Sequence, residues 1–270
     1  MPQDLQFVAM ERSHLPEALR LSIAAGWPHR LEDWEAVQAV SQGVAAVEDG
    51  TVVATGYCTT YGNRSRLNMI IVDERLRGRG IGKRLVAELV ALARQRPTAL
   101  VATEDGFPLY RKFGFEPNGK IGQFQGTVTE VPKSGRSVRR AAADEFSAVL
   151  AMDRAASDSD REALLSNLAH DGQMHVADGG YAILRDFGRG KVIGPVVAAE
   201  LDVAQALVVA AAQGLEGAFL RIDTDPELGL VPMVESLGLR PVGGGTTMFA
   251  GAVPNPKQFT TFALASQALG

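Results

Sequence analysis

Arg77-Gly78-Arg79-Gly80-Ile81-Gly82 is a stretch whose residue types can hold phosphate. Glycines at 78, 80 and 82 let a turn take backbone angles closed to other residues, and they remove the Cβ atoms that would keep a ligand off the chain. The stretch follows the apolar run Met69-Ile70-Ile71-Val72 and opens Ile81 to Ala93, where apolar residues recur at helical spacing. A strand, a glycine turn and a helix start in that order offer unpartnered helix N–H groups and the positive end of a helix dipole, which suits a pyrophosphate. Arg75, Arg77, Arg79, Lys83 and Arg84 gather positive charge at the same turn, although the chain as a whole carries a net charge of −4. The chemistry implied is the binding of a polyanion.

Spacing narrows the polyanion. A dinucleotide fingerprint G-x-G-x-x-G fails because the third position after Gly80 is Lys83. A Walker loop needs a glycine five residues before the Gly82-Lys83 pair and a Ser or Thr after it, and those places hold Arg77 and Arg84. What remains is R-x-x-G-x-G, carried by Arg77, Gly80 and Gly82. Here the chain resembles the GNAT superfamily of acyl-CoA-dependent N-acetyltransferases, whose pyrophosphate loop reads Q/R-x-x-G-x-G/A after the fourth strand. The resemblance continues downstream. Thr98 to Thr103 reads as the next strand, and Leu109-Tyr110 followed by Gly114-Phe115 stands where the family shows Leu-Tyr and Gly-Phe. Thr103 is a departure, since many relatives carry there an Asn that contacts pantetheine.

The resemblance implies acetyl-CoA as cofactor, with CoA as product. The fourth and fifth strands would splay, and pantetheine would lie between them on the main chain of Met69, Ile70, Ile71 and Val72. Arg77, Gly78, Arg79, Gly80, Ile81, Gly82 and Lys83 would hold the pyrophosphate, with Thr103 at the pantetheine side. Tyr110 is expected to protonate the departing sulfur; the alternative is that it packs on pantetheine. On the acceptor side stand Trp27, His29, Arg30 and Glu104. Trp27 can cover a pocket, Arg30 can pair with a substrate carboxylate, and Glu104 and His29 are candidate bases. Each has a plainer reading: the tryptophans as core anchors, with core favoured for Trp34, Glu104 as a helix-capping or solvated acid, and His29 as a surface residue. An amine can also lose its proton through ordered water.

These groups need elements to position them. Leu5 to Met10 reads as a strand, Leu15 to Ala25 and Leu31 to Ser41 as helices, and Val44 to Glu48 with Thr51 to Tyr61 as a hairpin turning at Asp49-Gly50. The strand feeding the glycine loop, a helix, a strand, a helix and a strand follow, to about residue 128. Thr127 to Arg140, with Pro132, Ser134 and Gly135, suits a linker. Beyond it the same order recurs, ending in a strand at Thr246 to Phe249, which implies an internal duplication. An ungapped match places Asp202, Ala204 and Ala206 opposite the three loop glycines and Val234 opposite Tyr110. An aspartate repels pyrophosphate and a valine donates no proton, so the second half is expected to keep the fold without the chemistry. The expectation is an α/β (α+β) protein of two tandem GNAT-like domains, each a mixed, mostly antiparallel central sheet flanked by helices. Residues 1–130 would form the catalytic domain and 136–270 a degenerate one serving the substrate pocket or an interface.

Composition bounds the partners. At 270 residues and 46% hydrophobic content the chain can build two cores. Apolar runs fall short of the roughly 20 residues of a membrane span, and the start lacks a basic-then-apolar signal, so no membrane partner and a cytoplasmic location are expected. One cysteine, Cys58, excludes an internal disulfide and a cysteine-rich metal site. Mild acidity argues against nucleic acid. The expected protein is a monomer or homodimer that moves an acetyl group from acetyl-CoA to the amine of a small molecule; the alternative is a non-catalytic acyl-CoA sensor or interaction protein.

Overall fold

The computed structural model describes residues 5–255 and 258–270. Contacts divide the chain into two compact units. One runs to Pro117 and takes in Met248–Ala252, and the other holds Asn118–Thr247 and Val253–Gly270.

In the first unit the order is β1 (Gln6–Ala9), α1 (Leu15–Ala24), α2 (Leu31–Ala39), β2 (Ser41–Glu48), β3 (Thr51–Tyr61), β4 (Arg64–Val72), α3 (Ile81–Ala93), β5 (Thr98–Ala102) and α4 (Phe107–Arg111). Asp49 and Gly50 both take positive φ, 50° and 76°, which is what a two-residue hairpin turn demands of its central pair. Strands β1 to β4 pair antiparallel in sequence, and β5 joins β4 in parallel. Strand β3 alternates between two helical layers, as a pleated strand must. Cys58 packs into the core beneath α3 with Leu67, Leu85 and Leu89, whereas the neighbouring Tyr57 meets Trp34 of α2. Burial of side chains of that size contributes roughly 1.5 to 3 kcal/mol each.

The second unit repeats the order: β6 (Glu116–Thr127), β7 (Arg139–Arg140), α5 (Phe146–Ser157), α6 (Glu162–Asp171), β8 (Gln173–Ala177), β9 (Gly180–Phe187), β10 (Gly190–Ala198), α7 (Leu201–Ala212), β11 (Phe219–Thr224), α8 (Val231–Ser236), β12 (Arg240–Ala250) and β13 (Thr260–Ala263). Its core gathers Val203, Leu207 and Val208 of α7 against Leu184, Val196, Leu220 and Ile222 of the sheet.

Four features differ from the sequence reading. Strand β6 does not close the unit it follows. It pairs with β11 from Phe219↔Thr127 to Thr224↔Gly122, because Phe124 belongs to the core of the second unit. Strand β12 is longer than Thr246 to Phe249, and its end returns to the first unit beside β5, where Met248 is buried. The two halves therefore exchange their last strands. Helix α8 is confined to Val231–Ser236 rather than Leu228 to Leu239, since Gly229 and Gly238 flank it at φ 81° and 92°. Strand β13 had no counterpart in the sequence reading.

Candidate active site

Strand β4 is broken at its centre. Tyr57 faces Asn68 and Thr55 faces Ile71, so Met69 and Ile70 together oppose the single residue Gly56. This is a β-bulge, and Met69 within it takes φ +50°, a conformation uncommon for a residue with a Cβ. Below the bulge β4 pairs with β5 at Ser65↔Thr98 and Arg66↔Ala99, and the ladder ends there. Ile71, Val72 and Ala102 lie beyond the last paired residues. The pairing of the two strands thus stops before the residues where the splay is expected.

Above this gap the chain turns through residues 73–80 into α3. Asp73 caps a short turn by accepting the Arg75 N–H at 3.1 Å, and it binds the Arg75 guanidinium at 3.0 and 2.7 Å. Those contacts hold its carboxyl down at about 2. Arg75 is thereby neutralised and drops out of the basic cluster, and Arg84 lies over the Phe7 ring at 4.2 Å. Arg77 and Arg79 are more than half exposed and only loosely paired, 3.7 Å from Asp105 and 4.0 Å from Glu48. Gly78 and Gly80 take φ +79° and +83°, and a Cβ on either would point into open space. No side chain caps α3. An open glycine cradle, an uncapped helix start and two loosely held guanidinium groups together fit a pyrophosphate.

Helix α4 places Tyr110 after β5, 8% exposed, with its ring 6.2 Å from Phe115. Burial pushes its phenol up to about 12. Thr103 is exposed, and its hydroxyl accepts the Gly106 N–H at 3.3 Å. It closes the turn into α4, which an Asn side chain at that place would also do.

The second unit carries the same scaffold. Strands β10 and β11 pair in parallel at Lys191↔Leu220 and Val192↔Arg221, and β10 bulges between Ile193 and Val196. The gap that follows is filled. Strand β13 runs through it, pairing Val196↔Ala263, Val197↔Thr261 and Ala198↔Thr260 on one side and Thr224↔Ala263 on the other. The glycine loop has no counterpart in length: only Ala199 and Glu200 separate β10 from α7, so Asp202, Ala204 and Ala206 lie inside the helix. Asp202 at its start is bound by Arg136. Val234 is fully buried on α8, where α4 carries Tyr110.

Residues 40–117 match a family model described as an acetyltransferase (GNAT) domain, and residues 149–263 match a second model of the same description. The chain is a tandem GNAT acetyltransferase. It is similar to the uncharacterized N-acetyltransferase YitH of Bacillus subtilis, with 27% identity over 242 residues, 82% of this chain and 83% of that one. Among solved structures it resembles a protein of Pyrococcus horikoshii at TM-score 0.85 and 20% identity, over 99% of this chain and 96% of the other. It also resembles a tandem GNAT protein from the clavulanic acid biosynthesis pathway, at TM-score 0.63 and 15% identity, over 93% and 100%. These structural likenesses speak to the fold. The family uses acyl-CoA and acts on amines of small molecules or proteins. Among the described residues no helix is long and apolar enough to cross a membrane.

In this GNAT chain the residues that the sequence offered for the acceptor divide. Trp34 is fully buried, with its indole N–H 3.3 Å from the Ser22 hydroxyl, and is a core anchor. Trp27 is half-buried; its ring stands edge-on to His29 at 5.7 Å, and His29 lies 6.4 Å from Trp34. Arg30 precedes α2, and its N–H and its guanidinium both donate to the Asp33 carboxylate, at 2.8 and 2.9 Å. A substrate carboxylate would compete with that pair. Glu104 is exposed beyond β5. Sequence reasoning did not single out Thr55, whose buried hydroxyl donates to the Met69 carbonyl at 3.1 Å. A threonine in a strand gives no signal of such a contact by itself; the available signal is Gly56 beside it, a glycine inside a strand, which stands opposite the bulge.

Proposed function

We propose that the first unit transfers an acetyl group from acetyl-CoA to the amine of a small molecule, and that the second unit binds no acyl-CoA. One contrast carries the reading. The first unit has an open splay beneath an uncapped helix start and a glycine cradle, whereas β13 fills the matching splay of the second and its loop is reduced to two residues. Acetyl-CoA supplies the thioester whose carbonyl carbon the amine attacks.

The chain's own residues serve three needs in this reading. Arg77 and Arg79, with the N–H groups around Gly80 to Lys83, neutralise and orient the pyrophosphate. Main-chain groups of Met69 to Val72 hold the pantetheine arm and face the thioester oxygen, where each oxyanion donor is worth roughly 3 to 4 kcal/mol. Tyr110 gives its proton to the departing sulfur. With the phenol near 12 and a free thiol near ~8.5, transfer is uphill by about 5 kcal/mol if only the phenol is desolvated. The sulfur must therefore share the same dry surroundings, which raise its proton affinity as well. Trp27, His29 and Glu104 border the acceptor's approach, and water takes the amine's proton.

The test is release of free thiol from acetyl-CoA in the presence of a panel of small primary amines. Acceptor-dependent release is expected, falling about 100-fold in Tyr110→Phe while CoA affinity is kept. Binding of CoA without acceptor-dependent release would favour a sensor. Full turnover in Tyr110→Phe would reduce Tyr110 to a packing residue.

A further inference from the structure

Met69 combines two unusual features. Its φ of +50° lies in the left-handed region that residues with a Cβ avoid, and it sits in mid-strand rather than in a turn. Something must hold it there. The Met69 carbonyl accepts the Thr55 hydroxyl at 3.1 Å, and Thr55 is fully buried on β3, directly opposite Ile71 at the first paired position beyond the bulge. A hydroxyl in a dry interior costs free energy unless it is bonded, so this contact is strongly selected once the bulge forms.

The second unit supplies an internal control. Its bulge on β10 also spans two residues, Gly194 and Pro195, with Leu184 facing Ile193 below and Ala182 facing Val196 above. Register therefore makes Ala182 the counterpart of Thr55. The half whose splay is filled has no hydroxyl at this place, and neither of its bulge residues takes a positive φ. The tether is present only where the gap is open.

We propose that Thr55 is a positioning residue for the donor: its hydroxyl fixes the Met69 bulge so that the main chain of β4 faces the thioester carbonyl. This rests on the assignment of acyl-CoA to the first unit. It predicts that Thr55 governs recognition of the carbonyl and leaves the hold on the rest of CoA unchanged.

Calorimetric titration separates the two. The ligands are unacylated CoA, a ketone analogue of acetyl-CoA with a methylene in place of the thioester sulfur, and S-ethyl-CoA, which lacks the carbonyl. The parent should bind the ketone about tenfold tighter than S-ethyl-CoA, the size of one well-made hydrogen bond. In Thr55→Val that preference should fall below about twofold, with affinity for unacylated CoA within about twofold of the parent. Thr55→Ala, which copies the second unit, should lose the preference likewise, and Thr55→Ser should keep it. Retention of the preference in Thr55→Val or Thr55→Ala overturns the inference and leaves the assignment of the site standing. A parent that binds all three ligands without preference also overturns it. A parent that binds none of them overturns the assignment itself.

Discussion

Gly80 and Gly82 belong to one motif, yet the structure predicts opposite responses to the same added methyl. Gly80 stands at φ +83° and ψ −1° as the residue before α3, where an L-residue pays roughly 1 to 2 kcal/mol. A Cβ there meets no atom within 4 Å, so the cost is purely conformational. If the loop keeps its shape, Gly80→Ala loses that amount of stability, about 2 to 8 °C in melting temperature for a chain of this size. If the loop relaxes instead, binding must restore the shape, and CoA affinity falls roughly 5- to 30-fold. Stability loss and affinity loss should together account for at least about 1 kcal/mol. Gly82 has no positive φ, and its Cβ would lie 3.6 Å from Leu109 and Val72, an ordinary contact. Gly82→Ala should therefore keep CoA affinity within about threefold, and by helix propensity it should gain up to about 0.5 kcal/mol. Calorimetry with CoA and thermal melts of both variants decide the matter. Tenfold weaker binding in Gly82→Ala together with an unaffected Gly80→Ala would refute the argument from backbone angles.

Other outcomes follow from the same geometry. CoA should titrate at one equivalent per chain, because β13 occupies the second splay; two equivalents would sink that reading. The Tyr110 phenol, raised to about 12 by burial, favours the folded state while protonated. That contribution is complete below the unfolded value near 10 and is lost as pH rises from about 10 to about 12, so the gap in stability between the parent and Tyr110→Phe should shift across that window in alkaline melts. Asp153 is 1% exposed and accepts from the Tyr181 hydroxyl and from Arg161, itself 4% exposed, at 3.0 Å. Asp153→Ala removes the carboxylate that binds the buried Arg161 guanidinium, which also donates to the Gly270 oxygen at 2.7 Å, and should cost about 3 kcal/mol in denaturant titrations; a loss under about 1 kcal/mol would show that the rest of the network holds the guanidinium.

What was legible in the sequence was whatever local chemistry enforces. Asp49-Gly50, Gly78, Gly80 and Gly114 mark turns because only certain residues accept their angles, and the α3 stripe from Ile81 to Ala93 is legible because its period is 3.6. What was not legible depends on pairing between distant segments. Nothing in residues 116–127 says that the strand joins β11, since alternation reveals a face and not a neighbour. The four residues of β13 are too few for a pattern. Nothing in the sequence marks Asp153 and Arg161 as partners, yet they are buried together, because the seven residues between them bring the start of α6 back against α5. The ungapped match set Val234 against Tyr110, each the fourth residue of its helix, yet it hid a shortened loop by laying helix residues over glycines.

The exchange of β6 and β12 bears on how such a chain can change. A cut in the segment around Pro132 would leave the first unit without Met248–Ala252 and send Asn118–Thr127 away from the core it fills. Each half of the sequence lacks a residue that its unit's core contains. The second half can therefore have a filled splay and a short loop and still be needed, since it supplies Met248–Ala252 to the first unit. What a half contributes to a site and what it contributes to a core are uncoupled in a chain whose halves finish one another.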